Sequence, residues 1–192
     1  MLVGFHGYAE NAEAQLERLR AIPRGERWLR VSIQALHRFY QSRTNGVVAS
    51  WMTRQDREVA ITDNIAYVAN CIDAVAAEWH TVPVMVFAGF SQGVGMAFRA
   101  AAHASCGAAG VIAVGGDVPP ELEPVALQRL AAALIVRGVA DALYPAEKFA
   151  EDERRLRECS VSVRALPIDG GHEWSSAVTE AAAEFLRELY PR

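Results

Sequence analysis

The chain has one lysine, Lys148, and no block of like charge. Its other cations are arginines placed singly or in short groups such as Arg24, Arg27, Arg30 and Arg154, Arg155, Arg157, so it lacks the basic tail or stripe that neutralises phosphates. That excludes a nucleic-acid arm and leaves the arginines as solvated helix and loop charges. The three cysteines, Cys71, Cys106 and Cys159, are odd in number and share no metal-ligand spacing, so neither a disulfide framework nor a zinc site is expected, and reduced thiols fit a cytoplasmic protein. Met1 to His6 has no charged segment leading into a long apolar one, so no export signal is expected. The longest stretch without Asp, Glu, Lys or Arg, Trp79 to Phe98, has the length of a membrane helix. Pro83, Gly89, Ser91, Gln92, Gly93 and Gly95 interrupt it, and a strand, a sharp turn and a buried helix are expected there instead of a membrane span.

What is present suits an ordinary globular protein: 192 residues, 52% hydrophobic and 22% charged, with a net charge of -4. The charge divides unevenly, with nine arginines against five acids in residues 1 to 57 and an acidic remainder. A chain of this length removes roughly 70% of its unfolded surface from water, enough for a core without staples. Nothing in it resembles a linker or repeat, so a single domain over residues 1–192 is expected.

Six short apolar runs rich in β-branched residues read as strands: Leu2 to Phe5, Leu29 to Gln34, Val84 to Gly89, Gly110 to Gly115, Ala133 to Arg137 and Val161 to Leu166. None alternates cleanly, which implies burial on both faces, and helical segments separate them, which implies a mostly parallel α/β sheet. The expected helices are Asn11 to Ile22 with Asn11 as cap and Pro23 as stop, Asp56 to Trp79, Gln92 to Ser105, Pro145 to Glu158 and Ser175 to Tyr190. The long irregular stretch 35–55, with His37, Phe39, Tyr40, Trp51 and Met52, is expected to be a loop covering a site.

Gly89-Phe90-Ser91-Gln92-Gly93 is a G-x-S-x-G sequence between a buried strand and a helix rich in small residues. A serine hydroxyl is a poor nucleophile, and a tight strand-to-helix turn exposes it and sets it at a helix N-terminus, whose free N–H groups favour negative charge. A base and an orienting acid should follow. His172, in Gly170-Gly171-His172-Glu173, and Asp141, in Gly138-Val139-Ala140-Asp141, both lie just past carboxyl ends of expected strands, where open α/β sheets place their chemistry. Asp117 and Asp169 are rival acids. Among the other histidines, His37 and His80 lack the required position, His103 falls on a helix and His6 precedes the serine. Phosphate binding through Gly89 to Gly95 fails for want of a following lysine and a third glycine.

Together, Phe5-His6-Gly7-Tyr8, Gly89-Phe90-Ser91-Gln92-Gly93, Gly138-Val139-Ala140-Asp141 and Gly170-Gly171-His172-Glu173 resemble the α/β-hydrolase superfamily, and within it the phospholipase/carboxylesterase group that includes acyl-protein thioesterases. The resemblance covers nearly the whole chain. It implies a three-layer fold, a catalytic triad of Ser91, Asp141 and His172, and an oxyanion hole made by the backbone N–H groups of Tyr8 and Gln92. It implies no metal and no organic cofactor. The group's motif often reads H-G-x-G, whereas Ala9 follows Tyr8 here, so a different local turn is expected. The group also has two strands ahead of its His-Gly segment; with His6 as sixth residue, a sheet of about six strands lacking those two is expected. Trp51 is a candidate wall of the substrate pocket.

The activity so implied is hydrolysis of carboxylic esters or thioesters of small-molecule substrates through an acyl-enzyme. Alternatives are other acyl chemistry on the same fold, of dienelactone or perhydrolase type, although a dienelactone hydrolase would use Cys where Ser91 stands, and a non-catalytic binding module that retains the fold.

Overall fold

The structure, a computed structural model, describes residues 1–79, 83–105 and 107–190. His80 and Cys106, considered above, lie outside the described residues. The first apolar run forms β1 (Leu2–Phe5), followed by a turn and by α1 (Ala12–Ala21), where the Asn11 side chain accepts the Ala14 N–H at 2.9 Å and so caps the helix. A 3₁₀ turn at Gly25–Arg27 leads into β2 (Arg30–Ile33).

The stretch 35–55 is not irregular. It contains an antiparallel pair, β3 (His37–Tyr40) and β4 (Val47–Ser50), which pair from His37 with Ser50 to Tyr40 with Val47. The connecting residues include Asn45-Gly46, with Asn45 at φ 53°, a conformation that Asn tolerates better than most residues.

Next come α2 (Arg57–Glu78), β5 (Val86–Phe90), α3 (Gln92–His103), β6 (Gly110–Val114), a single turn α4 (Pro124–Leu127), β7 (Ala132–Gly138), α5 (Ala146–Glu158), β8 (Ser162–Ile168) and α6 (Ser176–Leu189). The described part of the charge-free run thus becomes β5 and the start of α3. Among the described helices α2 alone has the length and mean hydropathy of a membrane span; here Ala60, Ile61, Asn64 and Val68 are buried.

The main sheet has six strands in the order β2-β1-β5-β6-β7-β8, every pairing parallel, as the six apolar runs imply. Successive residues of β1 face opposite layers: Leu2 joins Leu19 of α1, Ile22 just past it, and Val178 and Phe185 of α6, while Val3 and Phe5 join Val68, Met96, Phe98 and Leu156 of α2, α3 and α5. Burial of both faces by helices explains why the inner strands β1, β5, β6 and β7 read as continuous apolar runs, whereas the edge strands β2 and β8 are only partly buried.

This topology also contains a switch point. From β1 the chain moves to β2 on one side and then builds β5 to β8 on the other, so the direction of winding reverses between β1 and β5. Open α/β sheets bind ligands at the carboxyl ends of strands beside such a reversal. Phe5 pairs with Gly89, so the His6-Gly7-Tyr8 turn and the Phe90-Ser91-Gln92 turn leave the sheet side by side at that point.

Candidate active site

Ser91 sits between β5 and α3 with φ 52° and ψ -121°, a backbone geometry that a residue with a Cβ rarely adopts and that is tolerated where the surroundings enforce it. Its N–H donates to the Val114 carbonyl at 2.9 Å, and Gly116 packs so closely that a Cβ there would overlap the Ser91 carbonyl oxygen. On the other side Gly93 lies flat against β1, where a Cβ would overlap the Phe5 carbonyl oxygen. The two contacts hold the serine turn from β6 and from β1.

Asp141 and His172 meet directly, with Asp141 Oδ2 accepting from His172 Nδ1 at 2.8 Å. A carboxylate oxygen only accepts, so Nδ1 carries the proton and Nε2 is left with a lone pair. The second oxygen, Asp141 Oδ1, accepts the N–H groups of Leu143 at 2.8 Å and Tyr144 at 3.1 Å. Burial by itself would raise the Asp141 pKa; the hydrogen bonds from His172, Tyr144 and Leu143 outweigh it and hold the carboxyl below the ordinary aspartate value. Asp141 is 2% exposed, whereas the rival acids Asp117 and Asp169 are both exposed. His103 ends α3 on the surface.

The three chemistry-bearing side chains reach the same end of the sheet. No hydrogen bond joins Ser91 to His172 among the described residues; they are linked through shared neighbours. The Phe90 ring lies 5.1 Å from the His172 ring, and a Cβ on Gly115 would stand 3.2 Å from His172 Nδ1 and 3.3 Å from Asp141 Oδ2, one residue from the Gly116 contact with Ser91. Catalytic hydrogen bonds are often long before substrate binds, so this arrangement remains compatible with proton transfer between them.

His6 is wholly buried and has a role in the main chain. Its Nε2 accepts the Ala35 N–H at 3.1 Å, which requires Nδ1 to carry the proton and donate to the Gly7 carbonyl at 2.7 Å. Burial holds its pKa below the ordinary histidine value despite the favourable Gly7 contact and nearby Glu10. The Gly7 carbonyl and the Tyr8 N–H belong to one trans peptide and point in opposite directions, so anchoring the carbonyl to His6 turns the Tyr8 N–H away from the core. The Tyr8 and Gln92 N–H groups have no acceptor among the described residues.

Trp51 is a core residue and not an exposed wall. It is 0% exposed, its Nε1 donates to the His6 carbonyl at 2.8 Å and its ring meets Phe5 edge-on at 5.5 Å, so it supports the His6 turn from behind. An exposed aromatic beside the site is Tyr8, 61% exposed, with its ring 5.7 Å from Phe39 of β3.

Several contributors are absent from the motif reading. The Gln92 side chain accepts the Trp51 N–H and donates to the Met52 carbonyl, both at 2.9 Å, tying the end of β4 to the start of α3. Glu10, just ahead of α1, Arg18 of α1 and Phe90 form a second cluster beneath the Gly7-Tyr8 turn; an acid before the helix cap and an arginine two turns into the helix are a faint sequence signal for it. Among the described residues no three His, Cys, Asp or Glu side chains gather so as to hold a metal ion.

A family model described as Phospholipase/Carboxylesterase matches residues 5–190. No curated protein matches the sequence. Among solved structures the chain is similar in fold to a carboxylesterase of Bacillus cereus, with TM-score 0.79, 18% identity, and 99% of this chain and 88% of that one covered. It is similar likewise to esterase PE8, with TM-score 0.74, 20% identity and coverage of 98% and 92%. A third is acyl-protein thioesterase 2 of Zea mays, with TM-score 0.71, 17% identity and coverage of 98% and 92%.

Proposed function

The chain belongs to the phospholipase/carboxylesterase family, and from that membership we propose that it cleaves carboxylic ester or thioester bonds through an acyl-enzyme formed on Ser91. The observation that carries this reading is the strained Ser91 turn, φ 52°, at the same sheet end as a buried Asp141 paired at 2.8 Å with a half-buried His172. Strain of this kind is retained where a nucleophile must be held out from the chain.

In the proposed mechanism Ser91 Oγ attacks the acyl carbonyl carbon while His172 Nε2 takes the hydroxyl proton. Asp141 keeps the Nδ1 proton in place and stabilises the imidazolium. The carbonyl oxygen becomes an oxyanion and is held by the Tyr8 and Gln92 N–H groups, of which the first is aimed by His6 and the second is an unpaired donor at the helix start. Preorganised donors of this kind are each worth about 10²- to 10³-fold in kcat. The intermediate collapses, the carbon–oxygen or carbon–sulfur bond breaks, and His172 returns its proton to the departing alcohol or thiol. Water then attacks the acyl-serine, with His172 as base, and releases the acid and free Ser91. The exposed Tyr8 ring and the half-buried Phe39 ring beside it give the substrate an apolar surface beside the oxyanion position.

A fluorophosphonate probe and a panel of p-nitrophenyl esters and acyl thioesters of increasing chain length test the proposal. Labelling and turnover are expected in the parent protein and lost in Ser91→Ala. Labelling that survives Ser91→Ala, or a parent protein inert to every ester and thioester, overturns it.

A further inference from the structure

The turn carrying the Tyr8 N–H contains a costly backbone conformation. Ala9 has φ 57°, in the left-handed region that residues with a Cβ avoid. Main-chain bonds hold part of the turn: Ala9 N–H donates to the Ala49 carbonyl at 3.0 Å, Ala49 N–H to the Glu10 carbonyl at 2.8 Å, and Glu10 N–H to the Gly7 carbonyl at 3.3 Å. The rest is held by side chains. Glu10 Oε2 accepts the Gly7 N–H at 2.8 Å, and the same carboxylate takes Arg18 in a two-pronged pair with both contacts at 2.6 Å. Arg18 in turn lies with Cζ 4.3 Å from the centre of the Phe90 ring, and that ring lies 5.1 Å from the ring of His172.

We propose that the Glu10–Arg18 ion pair is a positioning device for catalysis, bracing the Gly7-Tyr8-Ala9 turn so that the Tyr8 N–H stays aimed at the reacting carbonyl and seating Phe90 against His172. It rests on the mechanism proposed above. An ordinary surface ion pair contributes little. This one differs in three respects: both side chains are mostly buried, at 20% and 24% exposure, the geometry is bidentate, and the carboxylate also binds a main-chain N–H of the turn. Burial would raise the Glu10 pKa, but Arg18 and the Gly7 N–H outweigh it and hold it below the ordinary glutamate value, so the carboxylate is charged at neutral pH. Neither residue touches the substrate. Both act through groups that do.

Glu10→Gln tests the idea, because it retains an oxygen for the Gly7 N–H and loses the bidentate pair with Arg18. The expected result is a fall in kcat of about tenfold with KM unchanged, smaller than the loss of a whole oxyanion donor. Adding Ala9→Gly is expected to restore most of it, since glycine adopts the left-handed turn unaided. Arg18→Lys, which keeps the charge and loses the fork, is expected to show a smaller fall in the same direction and serves if Glu10→Gln folds poorly. Amide exchange by NMR supplies a readout independent of turnover: in Glu10→Ala the Gly7 N–H is expected to exchange at least about tenfold faster while the Val3 N–H in β1 keeps its protection. A kcat within twofold of the parent in Glu10→Gln, no recovery on adding Ala9→Gly, or unchanged Gly7 exchange overturns the proposal. If the parent protein shows no Ser91-dependent turnover, the hydrolase mechanism fails, and the exchange measurement still decides whether the brace exists.

Discussion

Replacing Asp141 by asparagine isolates the role of one proton. In the structure the two carboxylate oxygens are not equivalent: Oδ1 accepts two main-chain N–H groups, from Leu143 and Tyr144, while Oδ2 accepts from His172. An asparagine must place its oxygen toward the two N–H groups, because its NH₂ there would confront two donors. Its NH₂ therefore faces His172 Nδ1, which must become an acceptor, and the imidazole proton moves to Nε2. A protonated Nε2 cannot take the proton of Ser91. The shape of the site survives, its chemistry does not, and the expected loss is about 10⁴-fold in kcat, or about 5.5 kcal/mol of barrier. Stability should fall by only about 1 kcal/mol, because all three hydrogen bonds of the carboxylate persist as neutral ones and the lost charge assistance is partly offset by removing a charge from a buried position.

Turnover of p-nitrophenyl acetate measures the first effect, urea denaturation the second and nitrogen NMR of the imidazole the tautomer. Asp141→Ala gives the contrast: activity is lost to a similar extent, but the Leu143 and Tyr144 N–H groups lose their acceptor and stability drops further. Asp141→Asn retaining more than a tenth of the parent kcat would refute the assignment of Asp141 as the orienting acid.

Gly93→Ala should destabilise the protein by roughly 3 kcal/mol or more, since its Cβ meets main chain of β1 that has nowhere to move; denaturation as late as in the parent would contradict that close approach. Trp51→Phe leaves the buried His6 carbonyl without its donor and should cost about 1–3 kcal/mol with KM unchanged, while a raised KM at unaltered stability would return Trp51 to the pocket wall. Acidification should weaken the fold in two steps. His6 has a folded pKa below its ordinary value, so the unfolded chain binds its proton first and stability falls as pH drops below about 6.5. Asp141 and Glu10, also lowered, contribute stability that is present above the ordinary carboxylate range and lost as pH falls through it toward their folded values, with the raised Asp152 opposing them there. Urea midpoints that do not change between about pH 7.5 and about pH 5.5 would contradict a neutral buried His6.

The sheet was legible because burial of its inner strands on both faces, and of its edge strands in part, leaves a strong trace: all six apolar runs became the six strands, and the Asn11 cap opened α1. The hairpin was not, because β3 reads His37-Arg38-Phe39-Tyr40, exposed at three of its four residues and paired only with β4, and such a strand carries no apolar signature. Trp51 was misread for a related reason. An aromatic in a supposed loop resembles a pocket wall, but at the end of β4 it turns inward and its N–H supplies the donor the His6 carbonyl needs. Candidate site residues could be named from motifs because each motif ends a strand; the Glu10–Arg18 pair could not, since nothing in the spacing of an acid and an arginine says which main-chain N–H the acid also binds.

That difference has a physical root. The groups proposed to stabilise the oxyanion are main-chain N–H groups, and main-chain groups have no letter in the sequence; only what constrains them has. At Gly93 and Gly116 the constraint is the lack of a side chain, which lets α3 and β6 close on the serine turn. At Ala9 the reverse holds. A residue with a Cβ occupies a left-handed turn where the resembling motif often has glycine, and three main-chain hydrogen bonds together with the Glu10 carboxylate keep it there. A flexible glycine can enter that conformation and leave it, whereas a braced alanine is held in it. The substitution therefore exchanges an intrinsic backbone preference for an imposed one, and makes the aim of the Tyr8 N–H depend on side chains that never approach the substrate.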